Sequence, residues 1–143
     1  ENLPTIAGLV EALERFIPSP VFDQNQIAPL SARLITAIDS IPGLHFVGSR
    51  EHRLANTVSF VVEEADSIAL MACLDLEGIC ASSGSACSAG SLEPSHVISA
   101  LGVAPKLANS LVRFSLGRNS TLAEVELVIT QLPEVVWHAQ GAK

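Results

Sequence analysis

Cys87 sits in Ala81-Ser82-Ser83-Gly84-Ser85-Ala86-Cys87-Ser88-Ala89-Gly90-Ser91, a run whose side chains are too small to pack the thiol in place. Glycine has no Cβ to restrict its backbone, and serine and alanine add almost no volume, so the segment reads as a mobile arm carrying a nucleophile. Burying such a loop would strand backbone polar groups. The following Leu92-Glu93-Pro94-Ser95-His96 gives the arm a fixed base, because proline and serine suit a helix start. Cys73 and Cys80 lie in an apolar helical pattern and beside an expected strand, which is the setting of small buried hydrophobes. Arg113, between Val112 and Phe114 on an expected strand, is the second candidate site residue. A half-buried guanidinium needs an anion, either the carboxylate of a ligand or an internal Asp or Glu.

Other chemistries fail on spacing. There is no Cys-x-x-Cys or His-x-x-x-His pair, and His45, His52, His96 and His138 are scattered, so no metal site is expected. Gly84-Ser85-Ala86-Cys87-Ser88 lacks the second glycine of a hydrolase nucleophile elbow, and Gly90 is followed by Ser91 where a phosphate loop has lysine.

The elements that must position these residues follow from periodicity. Ile6, Leu9, Val10, Leu13 and Phe16 share a helical face that stops before Pro18. Leu34, Ile35, Ile38 and Ile41 form a second stripe, ended by Pro42-Gly43, and 44–47 suits a short strand. Thr57-Val58-Ser59-Phe60-Val61-Val62 is the strongest strand and belongs in the middle of a small sheet. Asp66 caps a helix bearing Leu70, Met71 and Leu74, which Gly78 closes; Ile79 to Ala81 then returns as a strand. A short helix over 95–101, a strand over 111–116 and a helix opened by a Thr121/Glu124 capping box and disturbed at Pro133 complete the order.

At 143 residues the chain is long enough for one domain, residues 1–143, of mixed α and β content. A mean hydropathy of +0.41 implies a generous core or a surface that docks on something else, while no run is long enough to span a bilayer. A formal charge of −7 without a basic cluster argues against nucleic-acid binding. Three cysteines and the lack of a signal-peptide pattern point to reduced thiols in the cytoplasm.

Taken together, Gly78-Ile79, the Ala81 to Cys87 run, Leu92-Glu93-Pro94-Ser95-His96-Val97 and Val112-Arg113-Phe114-Ser115-Leu116-Gly117-Arg118 closely resemble the C-terminal part of NifS-like cysteine desulfurases. The likeness extends more loosely to Glu1-Asn2 and to Arg53-Leu54-Ala55-Asn56-Thr57-Val58-Ser59-Phe60, where the family usually has proline at the position of Ala55. It implies the small C-terminal domain of the pyridoxal-phosphate-dependent aspartate-aminotransferase fold, a small mixed sheet covered by helices. By this resemblance Cys87 attacks the sulfur of substrate L-cysteine, leaving alanine and an enzyme-bound persulfide for iron-sulfur cluster assembly or other sulfur delivery. The same resemblance implies that Arg113 holds the substrate carboxylate, which makes a ligand its favoured partner.

The resemblance further implies a large pyridoxal-phosphate domain, a homodimer in the complete enzyme, and a sulfur-acceptor or scaffold protein. The only lysines are Lys106 and Lys143, and neither stands in anything like the family's Schiff-base motif, so the chain alone is expected to lack desulfurase activity. Two alternatives accompany this reading: a selenocysteine lyase or related class V lyase fragment, and a non-enzymatic sulfur-relay module.

Overall fold

A computed structural model describes residues 1–19, 23–83 and 96–141. Helix α1 (Leu3–Phe16) opens on Asn2, whose side chain accepts the Thr5 N–H, and Pro4 sits in its first turn where no N–H is needed. Helix α2 (Gln24–Ser40) starts earlier than the apolar stripe suggests, because Asp23 accepts the Asn25 N–H and caps it. Strands β1 (Leu44–Val47), β2 (Thr57–Val62) and β3 (Val112–Ser115) form one sheet in the order β1-β2-β3. Both pairings are antiparallel, so the fold's mixed character lies in its helices and strands and not in parallel pairing. Helices α3 (Ser67–Leu76), α4 (His96–Ala100), α5 (Pro105–Ala108) and α6 (Leu122–Ala139) complete the described elements.

Strand alternation divides the sheet into two faces. Leu44, Val58, Phe60, Val62, Val112 and Phe114 point toward α2, α3 and α6, and pack with Leu34, Ile38, Leu70, Leu74, Val125 and Leu132 as the main core. Phe60 and Phe114 meet as a tilted aromatic pair 5.5 Å apart. Val47 and Val61 point the other way and pack with Ile98, Ala108 and Leu111 in a smaller cluster beneath α4 and α5. β2 is therefore central and covered on both sides.

Two local expectations need correction. Ile79 to Ala81 forms no strand; among the described residues, an isolated antiparallel bridge from Ser82 to Arg113 is what extends the sheet beyond β3. Helix α6 runs through Pro133 to Ala139. An interior proline costs roughly 3 kcal/mol, but the turn beyond it buries Val135 and Val136, and each such side chain returns about 1.5–3 kcal/mol. The residues around Lys106 form the short helix α5, whose Ala108 is buried in the smaller cluster.

Side-chain hydrogen bonds pin the loops. Arg53 donates to the carbonyls of Leu54 and Thr57 and to the buried Ser31 hydroxyl, fixing the loop before β2 onto α2. The two-pronged pair Arg33–Glu126 (2.7 and 3.2 Å) joins α2 to α6, and this hydrogen bond holds the Glu126 carboxyl below the usual carboxylate range. Ser110 replaces a missing rung. β3 stops pairing at Phe60–Val112, so the buried Ser110 hydroxyl accepts the Val62 N–H at 2.9 Å and donates to the Leu107 carbonyl at 2.8 Å. Ser110→Ala strands that N–H and is expected to cost about 1–3 kcal/mol in urea unfolding. A change below roughly 0.5 kcal/mol, the range of a neutral surface substitution, would contradict the assigned role.

Candidate functional site

Arg113 lies in the middle of β3, in register with Ser59 of β2, which in turn faces Val47 of β1. Alternation places it on the face of the smaller cluster, away from Phe114 and the main core. Its backbone closes a two-bond bridge with Ser82: the Arg113 N–H donates to the Ser82 carbonyl at 2.7 Å, and the Ser82 N–H donates to the Arg113 carbonyl at 3.0 Å. Nη2 reaches the Ser82 hydroxyl at a long 3.4 Å.

The guanidinium is half-buried, and its Nε is fully buried with no hydrogen-bond partner among the described residues. Most buried donors are satisfied, and one left without an acceptor costs about 1–3 kcal/mol. The internal ion pair that the sequence leaves open is not formed among the described residues. There Arg33, Arg50 and Arg15 take Glu126, Asp39 and Glu11, and Arg113 takes no carboxylate. Planar anions such as carboxylates are what the two-pronged donors of a guanidinium bind best.

Cys87 lies outside the described residues, as do Lys143 and the Pro94-Ser95 helix start. The flanks of that segment are described. Ser82 is bridged to Arg113 on one side, and on the other α4 packs Ile98 into the smaller cluster beneath the same sheet face. Sequence reasoning missed Ser82 as the residue that ties the Cys87 segment to Arg113. An extended residue opposite the exposed edge of an expected strand was the available signal.

The other two thiols separate. Cys73 is partly buried against the main core, as expected. Cys80 is exposed, contrary to expectation: after the Gly78 turn (φ +71°) Ile79 points inward, so its neighbour points out. Cys80 borders an open groove of about 480 Å³ whose walls include Leu34, Phe114, Leu116, Val125 and Leu127. Arg113 is not part of that groove, so the two are distinct places on the molecule. Lys106 is exposed on α5. Among the described residues, no cluster of His, Cys, Asp and Glu could hold a metal ion, and no helix is long and apolar enough to cross a membrane.

With this geometry in view, the comparisons with known proteins are specific. The aminotransferase class-V family model matches residues 1–128. Cysteine desulfurase IscS of Methanosarcina thermophila is 39% identical over 136 residues, covering 95% of this chain and 34% of that protein. Cysteine desulfurase NifS of Azotobacter vinelandii is 37% identical over 137 residues, again 95% of this chain and 34% of the relative. The X-ray structure of a NifS-like protein from Rickettsia africae superposes on 79% of this chain and 29% of its own, with a TM-score of 0.68 at 28% identity. The chain thus spans about one third of the length of the relatives it matches.

Proposed function

The chain belongs to the aminotransferase class-V family, and from that premise we propose that it is the small-domain part of a pyridoxal-phosphate-dependent cysteine desulfurase. The reaction is L-cysteine plus the Cys87 thiol giving L-alanine plus a Cys87 persulfide. The sulfur–carbon bond of the substrate breaks, a sulfur–sulfur bond forms on Cys87, and the carbon left behind takes up a proton. The persulfide sulfur then passes to an acceptor protein, in iron-sulfur cluster assembly or another delivery route.

The observation that carries this reading is the half-buried Arg113, whose Nε lacks a partner among the described residues and whose backbone is bridged to Ser82. Cys87 follows Ser82 by five residues, so chain geometry alone keeps its Cα within about 18 Å of that bridge. A carboxylate held by Arg113 and a thiol on that tether serve one substrate. Dividing C–S cleavage from later transfer is the use of a covalent intermediate, and a Gly/Ser arm lets one thiol visit both places.

The described residues do not fit pyridoxal phosphate. Lys106, the one lysine among them, is exposed on a four-residue helix, a solvated setting that does nothing to bring an amine toward the neutral form a Schiff base needs. The cofactor supplies the electron sink for breaking the C–S bond, and in this reading its binding residues belong to the remainder of the family fold.

The test is turnover. The complete translation product that contains these residues, supplied with pyridoxal phosphate, is expected to convert L-cysteine to L-alanine. The 143-residue chain under the same conditions is expected to produce none above a protein-free control. Failure of the complete product would overturn the desulfurase reading, and turnover by the short chain would overturn the placement of the cofactor outside it.

A further inference from the structure

Ser82 and Arg113 face each other as a doubly hydrogen-bonded pair, their backbones joined at 2.7 and 3.0 Å. Residues directly opposite in an antiparallel pair present their side chains on one face. With the backbone pinned, the Ser82 hydroxyl keeps its rotation about χ1. In the structure it accepts from Arg113 Nη2 at 3.4 Å, beyond the usual N–H to oxygen range of about 2.7–3.2 Å. Arg33 and Arg50, by contrast, are each gripped by two bonds to one carboxylate. Arg113 is held loosely, and its Nε is sealed from solvent with no acceptor among the described residues.

We infer that Ser82 is a positioning residue for Arg113: when a carboxylate takes the outer fork of the guanidinium, the Ser82 hydroxyl turns from Nη2 to accept the Nε–H. This rests on the reading above, that Arg113 holds the carboxylate of an amino-acid substrate. Nε and Nη2 donate along the same edge of the planar group, so a small turn carries the hydroxyl from one to the other. A charge-assisted bond from Nη2 to a carboxylate is shorter and stronger than its contact with a serine hydroxyl, and replaces it. Nε is sealed, so its acceptor has to be a group already packed beside it, and among the described residues Ser82 is the one whose side chain hydrogen-bonds the guanidinium. A donor orphaned in the free site and satisfied in the occupied one adds to the affinity for the carboxylate.

Ser59 is the rival for this role. It is half-buried on β2 in register with Arg113, so it flanks the guanidinium's strand from the other side. No hydrogen bond joins its hydroxyl to Arg113, whereas Ser82 already makes one.

The test uses the complete translation product loaded with pyridoxal phosphate. The first probe is 3-mercaptopropionate, which carries a thiol and a carboxylate but no amine to form an imine; the second is cysteamine, which has no carboxylate. Both dissociation constants are measured by isothermal titration calorimetry. Ser82→Ala is expected to weaken 3-mercaptopropionate by roughly tenfold, the worth of a hydrogen bond to a charged group, and to leave cysteamine unchanged. Ser82→Thr keeps the hydroxyl and should restore most of the loss. Ser59→Ala should bind both probes as the wild type does. In an Arg113→Ala background Ser82→Ala should have no further effect, a comparison that holds even if the threonine methyl does not fit.

Equal weakening of both probes, a full effect of Ser82→Ala without Arg113, or a loss at Ser59 with none at Ser82 would overturn the inference. So would a wild-type protein that fails to bind 3-mercaptopropionate. Alanine production from L-cysteine by the same preparation separates the two claims. Carboxylate binding that depends on Ser82 without turnover keeps the positioning role and removes the desulfurase reading, and turnover with binding indifferent to Ser82 does the reverse.

Discussion

Cys87→Ser in the complete enzyme is expected to lower alanine production from cysteine by on the order of 10³-fold or more, because loss of a covalent nucleophile removes the step itself. A serine hydroxyl is isosteric enough to leave the segment's other properties intact, but it is a far weaker nucleophile at neutral pH and cannot store sulfur. Cys73→Ser and Cys80→Ser provide the controls. Cys73 packs against the core and Cys80 borders the separate groove, so neither change should reduce turnover by more than about the factor of five that a 1 kcal/mol effect would give. Equal losses at all three positions would deny Cys87 a special role.

Arg113→Ala is expected to reduce kcat/KM for cysteine by about 10²- to 10³-fold, the cost of leaving one member of a buried, hydrogen-bonded charge pair without its partner. Arg113→Lys should recover only part of this, since lysine keeps the charge but not the planar pair of donors. A merely structural role is excluded by comparing cysteine with cysteamine, which has the thiol and amine but no carboxylate. If Arg113 grips the carboxylate, the wild-type enzyme prefers cysteine strongly and the Ala variant loses that preference while treating cysteamine as before. An equal fall for both substrates, accompanied by a lower urea midpoint, would mean that Arg113 supports the sheet and not the substrate.

The legible parts of the fold were those with strong local periodicity or explicit caps. The stripe of α1, the run from Thr57 to Val62, the Asp66 cap and the Thr121/Glu124 box each appear at the expected place. Asp66 accepts from both Ile68 and Ala69, and Thr121 exchanges hydrogen bonds with Glu124, so these boundaries are encoded within four residues of each end. What local reading missed depends on tertiary packing. α6 continues past Pro133 because Val135 and Val136 enter the core, and Cys80 is exposed because Ile79 beside it is drawn inward. Neither fact is visible in a window of neighbouring residues.

The site divides in the same way. Arg113 was recognisable as a cation placed among apolar strand residues, and the structure adds that no described carboxylate pairs with it. The bridge from Ser82 to Arg113 joins positions 31 residues apart, a pairing that sequence spacing cannot specify. The unburied face of α1 was expected only as an elevated mean hydropathy, which a larger core would also have produced. Cys87 itself remains a proposal carried by its neighbours in sequence and by the tether at Ser82.

The most direct measurement is to locate the sulfur. The complete enzyme is mixed with L-cysteine and pyridoxal phosphate, trapped with a thiol-alkylating reagent, digested and mapped by mass spectrometry. One additional sulfur on the peptide containing Cys87, absent when cysteine is omitted, is the predicted result. An additional sulfur found only on Cys73 or Cys80, or on no peptide while alanine accumulates, would contradict Cys87 as the sulfur carrier.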